Sequence, residues 1–264
     1  MLSVPGLEML TRIGFAARGI MYVIIGYLAL RFGRSEDPSG ALDYLAEGSG
    51  RILLAAMALG FVAYGIWRLS EAVVDTEGHG DDAKGVAARL GGGVSGLVHL
   101  GLAFFAAKLA FGQGGGGEGG AEQGAETALG LPGGTIILTI AGAALIATGI
   151  WQLVNAVRAG FLRHLDPRAA RLTWVEWLGR AGYAARGIIF AIIGWFVLQA
   201  GLSSESGKAG GMEEALSSLS GGLLSIVAFG LILFGLFSFV EARYRRINDP
   251  DVLDRLKRAA SSSA

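Results

Sequence analysis

The stretch RIGFAARGIMYVIIGYLAL, Arg12 to Leu30, returns almost intact as RAGYAARGIIFAIIGWFVL, Arg180 to Leu198. Each copy places two arginines at the mouth of a run apolar enough for lipid. The rest of the chain follows suit: of 264 residues, 52% are hydrophobic and 17% charged, and the mean hydropathy is +0.52. Soluble domains carry about 25% charge. The charges that remain cluster in the connections and leave six apolar runs, near Phe15–Phe32, Ile52–Val74, Leu90–Phe111, Thr135–Val157, Tyr183–Leu202 and Leu223–Val240. Each is long enough to cross about 30 Å of hydrocarbon as a helix. None shows the polar stripe that a soluble bundle needs. The fold class is all-α, an integral membrane protein with six transmembrane helices.

The formal net charge of zero hides an asymmetry between the two sides of such a bundle. With the N-terminus in the cytoplasm, only Arg31, Arg34, Arg51, Lys108 and Lys208 of the 22 basic residues fall outside. Basic residues near span ends mark the cytoplasmic side. The expectation is a multi-pass protein of the bacterial inner membrane with both termini cytoplasmic. The first run has no small-residue cleavage pattern and reads as a retained span. The chain has no cysteine, so disulfides, thiolate nucleophiles and cysteine metal sites are excluded.

Three two-span units organise the chain. A weaker third copy of the opening motif, RLGGGVSGLVHLGLAFFAAK, starts at Arg89. In this register Arg12 corresponds to Arg89 and Arg180, Gly14 to Gly91 and Gly182, Arg18 to Ser95 and Arg186, and Tyr22 to His99 and Phe190. The even-numbered spans align as YGIWRLSEA (Tyr64–Ala72), TGIWQLVNA (Thr148–Ala156) and FGLFSFVEA (Phe234–Ala242). An Ala-Leu pair precedes each even span, at Ala41, Ala128 and Ala215, and suggests a short interfacial turn. Units that all enter from one side form parallel repeats about an axis along the membrane normal, with pseudo-threefold symmetry as the expected arrangement. The boundaries are 1–75, 76–160 and 161–245, with a basic cytoplasmic tail over 246–264. Gly19, Gly26 and Gly33 recur at intervals of seven, as do Gly187, Gly194 and Gly201, and the middle copy has Gly96, Ala103 and Ala110. A seven-residue step drifts only about 20° around a helix. Each odd span therefore carries one smooth face, and small residues let helices approach closely in lipid.

The repeated motifs R-x-G-[FY]-A-A-R-G-[IV], at Arg12–Ile20 and Arg180–Ile188, and G-[IL]-[WF]-x-x-x-x-A, at Gly65–Ala72, Gly149–Ala156 and Gly235–Ala242, resemble the bacterial family called domain of unknown function 1206. The resemblance covers nearly the whole chain and implies a bacterial six-span membrane protein with no assigned activity. Ser95, where the motif has its second arginine, is the clearest departure.

The arginines are the leading candidates for a role. Arg12 and Arg180 start their spans at headgroup depth, while Arg18 and Arg186 lie six residues, about 9 Å of helix rise, deeper. The deeper pair either snorkels to phosphates or faces the bundle and meets an anion. Glu71, Asn155 and Glu241 occupy equivalent positions on the even spans at similar depth. The middle unit has Ser95 and Asn155 in place of both charges, as pairing inside each unit predicts: Arg18 with Glu71, and Arg186 with Glu241. Arg68, three residues before Glu71, competes as its partner. His99 stands where the other units have aromatics and is expected to be packed and hydrogen-bonded rather than a proton relay. The five tryptophans are expected mainly near the interfaces. Gly112–Glu126 reads as an external linker, and EGHGDD, Glu77–Asp82, as a solvated loop rather than a metal site. Arg158–Arg180 alternates bases with Phe161, Leu162, Trp174 and Trp177, as a surface segment on anionic lipid would.

No paired carboxylates, metal cluster or nucleophile–base set lies within the spans. The expectation is therefore a non-enzymatic accessory, scaffold or lipid-interacting protein, with no catalytic residue, metal or cofactor. Anionic headgroups on the cytoplasmic face, a protein partner or a second copy are its expected partners, and nucleic acid is not. A small transporter or channel for an anionic solute, with Arg18 and Arg186 as contacts, is the alternative.

Overall fold

A computed structural model describes residues 4–33, 35–47, 50–75, 78–113 and 120–245. The basic tail over 246–264, Arg34, Glu77 and the centre of the glycine-rich linker lie outside these residues. Among the described residues, ten α-helices follow in order: α1 Val4–Phe32, α2 Pro38–Ala46, α3 Arg51–Val74, α4 Ala83–Ala110, α5 Gly120–Leu129, α6 Gly134–Arg158, α7 Pro167–Ala170, α8 Thr173–Ser203, α9 Met212–Ser217 and α10 Gly222–Tyr244. Among the described residues, α1, α3, α4, α6, α8 and α10 are long and apolar enough to span a membrane. The protein is a multi-pass, all-helical membrane protein.

The Ala-Leu pairs fall in the three short helices α2, α5 and α9, which close the end of the bundle away from the basic residues. Asp37 caps α2, its carboxylate accepting from the backbone of Gly40 at 2.8 Å, which meets one orphan donor of the first turn. Ala41, Leu42, Ala215 and Leu216 are buried, so these helices plug the bundle rather than float at the interface. Half of the expected glycine-rich linker belongs to α5. Phe161, expected on the lipid surface, is buried with Leu165, Val175, Phe237 and Val240. Trp67 likewise leaves the interface: it is buried beside Phe15 and Tyr64, whereas Trp151, Trp174, Trp177 and Trp195 are exposed.

Helix pairing follows the glycines. A Cβ at Gly19 of α1 would lie 2.8 Å from the carbonyl oxygen of Gly235 on α10, and one at Gly235 would lie 2.7 Å from that of Gly19. The same reciprocal approach joins Gly187 of α8 to Gly149 of α6, at 2.9 and 2.7 Å, and Gly96 of α4 to Gly65 of α3, at 3.0 Å each way. Each odd span thus packs tightest on the even span of the preceding unit, and α1 closes the series by packing on α10. Such approach leaves no room for a side chain, and backbone contact replaces the hydrophobic drive that lipid cannot supply.

The spans form the order α4, α3, α1, α10, α8, α6. The two spans of the first unit touch, as do those of the third, but α4 and α6 scarcely meet. The three units are therefore not packed alike. Between the short helices and the level of Tyr22, the interior is apolar, with Ile25, Leu54, Met57, Phe61, Ile189 and Leu231 among its buried members.

Replacing Gly149 by Val is expected to lower stability by about 1–3 kcal/mol, the usual cost of overpacking, because its Cβ meets the α8 backbone at both Gly187 and Ala191. Gly91→Ala, whose Cβ meets nothing within 4 Å, is expected to be neutral. Thermal unfolding in detergent distinguishes the two.

Candidate functional site

The arginines at the two depths have separate tasks. At the start of α4 and of α8 the first arginine caps the preceding even span. Arg89 donates through Nε to the carbonyl of Ala72 at 3.0 Å and through Nη2 to that of Val73 at 3.1 Å, the last turn of α3. Arg180 donates to the carbonyls of Ala156 and Val157 at the end of α6, at 3.2 and 2.5 Å, and its Nη2 lies 2.7 Å from Glu176. Those carbonyls have no partner within their own helix, and a cation there also suits the negative end of the helix dipole.

The second arginine lies inside the bundle. Arg18 is only 5% exposed and forms an ion pair with Glu241 of α10. It also donates to the Ser238 hydroxyl at 3.1–3.2 Å and to the Tyr64 hydroxyl at 3.1 Å. The other carboxylate oxygen of Glu241 accepts from Arg245 at 2.9 Å. The ring of Phe15 lies 4.2 Å from the Arg18 guanidinium and 4.8 Å from that of Arg245.

The expected pairing inside each unit is therefore incorrect. Arg18 meets Glu241, not Glu71, and Arg186 does not meet Glu241. The cause is the glycine seam, which lays each odd span on the even span of the preceding unit. In that register the three equivalent pairs are Arg18 with Glu241, Ser95 with Glu71 and Arg186 with Asn155. One pair is complete. A second holds an anion without its cation, and the third a cation without its anion.

Arg186 shows the consequence. No carboxylate pairs with it among the described residues. It donates through Nε to the Tyr22 hydroxyl at 3.0 Å and through Nη1 to Gln152 Oε1 at 2.8 Å. Gln152 stands where Ser238 receives Arg18. It is 4% exposed, and its Nε2 is buried with no acceptor. The ring of Phe234 separates the two deep arginines, 4.8 Å from the Arg18 guanidinium and 5.1 Å from that of Arg186. His99 is buried against Tyr64, with ring centroids 4.3 Å apart. Its Nδ1 lies 2.7 Å from the carbonyl of Ser95, while Nε2 is buried without a partner.

Glu71 is fully buried at the end of α3. Arg68 reaches its Oε2 at 3.3 Å along the same helix, as the sequence spacing allows. His79, from the loop that reads as solvated in the sequence, reaches Oε1 at 3.0 Å. The tyrosines at 22 and 64, Gln152 and Ser238 escape a search for charges. Gln152 and Ser238 were legible only as counterparts of Arg68 in the even-span alignment.

The family described as Domain of Unknown Function (DUF1206) matches three stretches of the sequence, 13–75, 90–159 and 181–245. The chain belongs to this family. Each match takes in most of one odd and one even span of the DUF1206 chain, α1 with α3, α4 with α6 and α8 with α10. An uncharacterized protein of Bacillus subtilis (strain 168), YxxB, is 33% identical over 257 residues, which cover 92% of this chain and 93% of its own. No solved structure matches the chain.

Removing one partner of a buried pair strands the other, typically at about 3–5 kcal/mol. Arg18→Gln and Glu241→Gln are each expected to lower the unfolding temperature markedly. A double-mutant cycle over the two positions is expected to show strong coupling. The cycle Arg18→Gln with Glu71→Gln is expected to show none.

Proposed function

We propose that the protein is a non-enzymatic membrane protein that holds an anionic phospholipid headgroup in the basic half of its bundle, with both termini in the bacterial cytoplasm. The observation that carries this reading is Arg186, an inward-facing cation with no carboxylate among the described residues. A phosphate is the complementary group, since guanidinium binds phosphate through paired N–H donors. The buried Nε2 of Gln152 supplies a further donor beside it. Asn155, where Glu241 stands opposite Arg18, removes the carboxylate that would repel such a ligand. The lack of packing between α4 and α6 offers a lateral approach from the membrane, and charged groups at this depth are costly enough that a role is the default.

Passage of a small anion is the second reading, favoured by two arginines that both face inward. The apolar interior beyond Tyr22 weighs against it, because a permeating anion would cross that layer without a polar partner.

Native mass spectrometry of protein gently extracted from bacterial membranes tests the proposal. The wild type is expected to retain phosphatidylglycerol or another anionic phospholipid, and Arg186→Gln to lose at least nine-tenths of it while staying folded. Equal lipid retention by both proteins, or a bare wild type, would sink the lipid reading. Anion flux in proteoliposomes then decides for or against transport.

A further inference from the structure

The anion left without its arginine points to a second site. We infer that Glu71, Asp75 and His79 form a binding site for a divalent transition metal at the basic end of α3. Their donor atoms, one from each residue, all lie within 4.8 Å of one another. His79 Nδ1 is 3.0 Å from Glu71 Oε1 and 3.6 Å from Asp75 Oδ1. Ligand atoms on a metal with arms of about 2.1 Å are separated by about 3.0–3.5 Å along the edges of an octahedron or tetrahedron. The two His79 separations lie at the edges of that range, and the two carboxylates are within 4.8 Å of each other.

The state of Glu71 supports a cation there. Its carboxylate is wholly enclosed, and neither oxygen accepts a hydrogen bond. The contacts from Arg68 and His79 are close but not aligned as hydrogen bonds. An ionised carboxylate in that position is expensive without strong coordination. Arg68 lies against Oε2 and leaves Oε1 directed at His79, so a metal and Arg68 can share the carboxylate, one on each oxygen. A charged residue on the second oxygen is how ligating carboxylates are commonly oriented.

The surroundings also make the site. A Cβ at Gly92 of α4 would collide with Glu71 Oε2. In the other odd spans the corresponding positions are Phe15 and Tyr183, whose rings would fill this space. Asp75 ends α3 in the left-handed region, with φ of 53°. Its carboxylate accepts from the backbone of His79 at 2.6 Å and of Gly80 at 2.8 Å, which holds the His79 imidazole beside Glu71. Only His79 is partly exposed, with a quarter of its side chain accessible, so the ion enters from the aqueous side. Two carboxylates and one imidazole suit zinc or manganese better than calcium or magnesium, which favour all-oxygen sites. This site is separate from Arg186 and independent of the lipid reading.

The test uses the tag-free full chain in detergent, stripped with a chelator and dialysed against zinc chloride or manganese chloride, with metal content and thermal unfolding measured. The wild type is expected to take up one equivalent of zinc or manganese per chain and to unfold at a higher temperature with it. His79→Ala, at a partly exposed position that leaves the helices intact, is expected to lose at least tenfold in affinity, as is Glu71→Gln. His164→Ala, in a different loop, is expected to bind as the wild type does. A wild type that takes up neither metal stoichiometrically, or His79→Ala binding as tightly as wild type, overturns the site. The His79 variant decides the matter even if Glu71→Gln fails to fold.

Discussion

Backbone-to-backbone contact at three glycine pairs governs this molecule. In lipid, apolar side chains gain nothing by leaving their solvent, so helices associate where their main chains approach most closely. Gly19 with Gly235, Gly96 with Gly65 and Gly187 with Gly149 fix which span lies beside which. Everything polar in the interior then inherits its neighbours from that choice. Arg18 finds Glu241 because Gly19, next to it, seats α1 on α10. Arg186 finds Gln152 because Gly187 seats α8 on α6.

Repetition with divergence creates the interest of the site. Three copies of one helix pair would have given three ion pairs and a structurally inert interior. Two substitutions in the middle unit, serine for arginine and asparagine for glutamate, fall in different pairs once the register is known. They leave Arg186 without a facing glutamate on one side of the bundle and Glu71 without a facing deep arginine on the other. Each of the two has gathered polar company of its own: Tyr22 and Gln152 around Arg186, Arg68 and His79 around Glu71. The deep arginines also rest on aromatic rings, which offer negative faces to a cation in a medium that screens poorly.

Much of this was legible in the sequence. Six apolar runs of span length, three repeated units and the glycine periodicity are one-dimensional patterns, and the helices fall on them. Partner choice was not legible. The odd spans repeat every face identically, so the sequence carries no sign of whether α1 turns its glycines toward α3 or α10. Joint replacement of Ser95 and Asn155 looked like the loss of one pair, although it was the loss of half of two. His79 was hidden differently: its approach to Glu71 depends on a left-handed Asp75 and two backbone hydrogen bonds. Trp67 and Phe161 misled because an aromatic side chain reads the same at an interface as in a core.

The seam between α1 and α10 has a consequence for biosynthesis. The earliest span to enter the bilayer has as its closest companion the latest of the six. Until α10 follows, Arg18 sits in the nascent membrane assembly without Glu241, while the later spans are being inserted. The α3–α4 and α6–α8 seams, by contrast, join spans that leave the ribosome one after the other. Assembly is therefore local in the middle of the chain and global at its ends. A chain interrupted before α10 retains two of its three glycine seams and leaves Arg18 without its carboxylate.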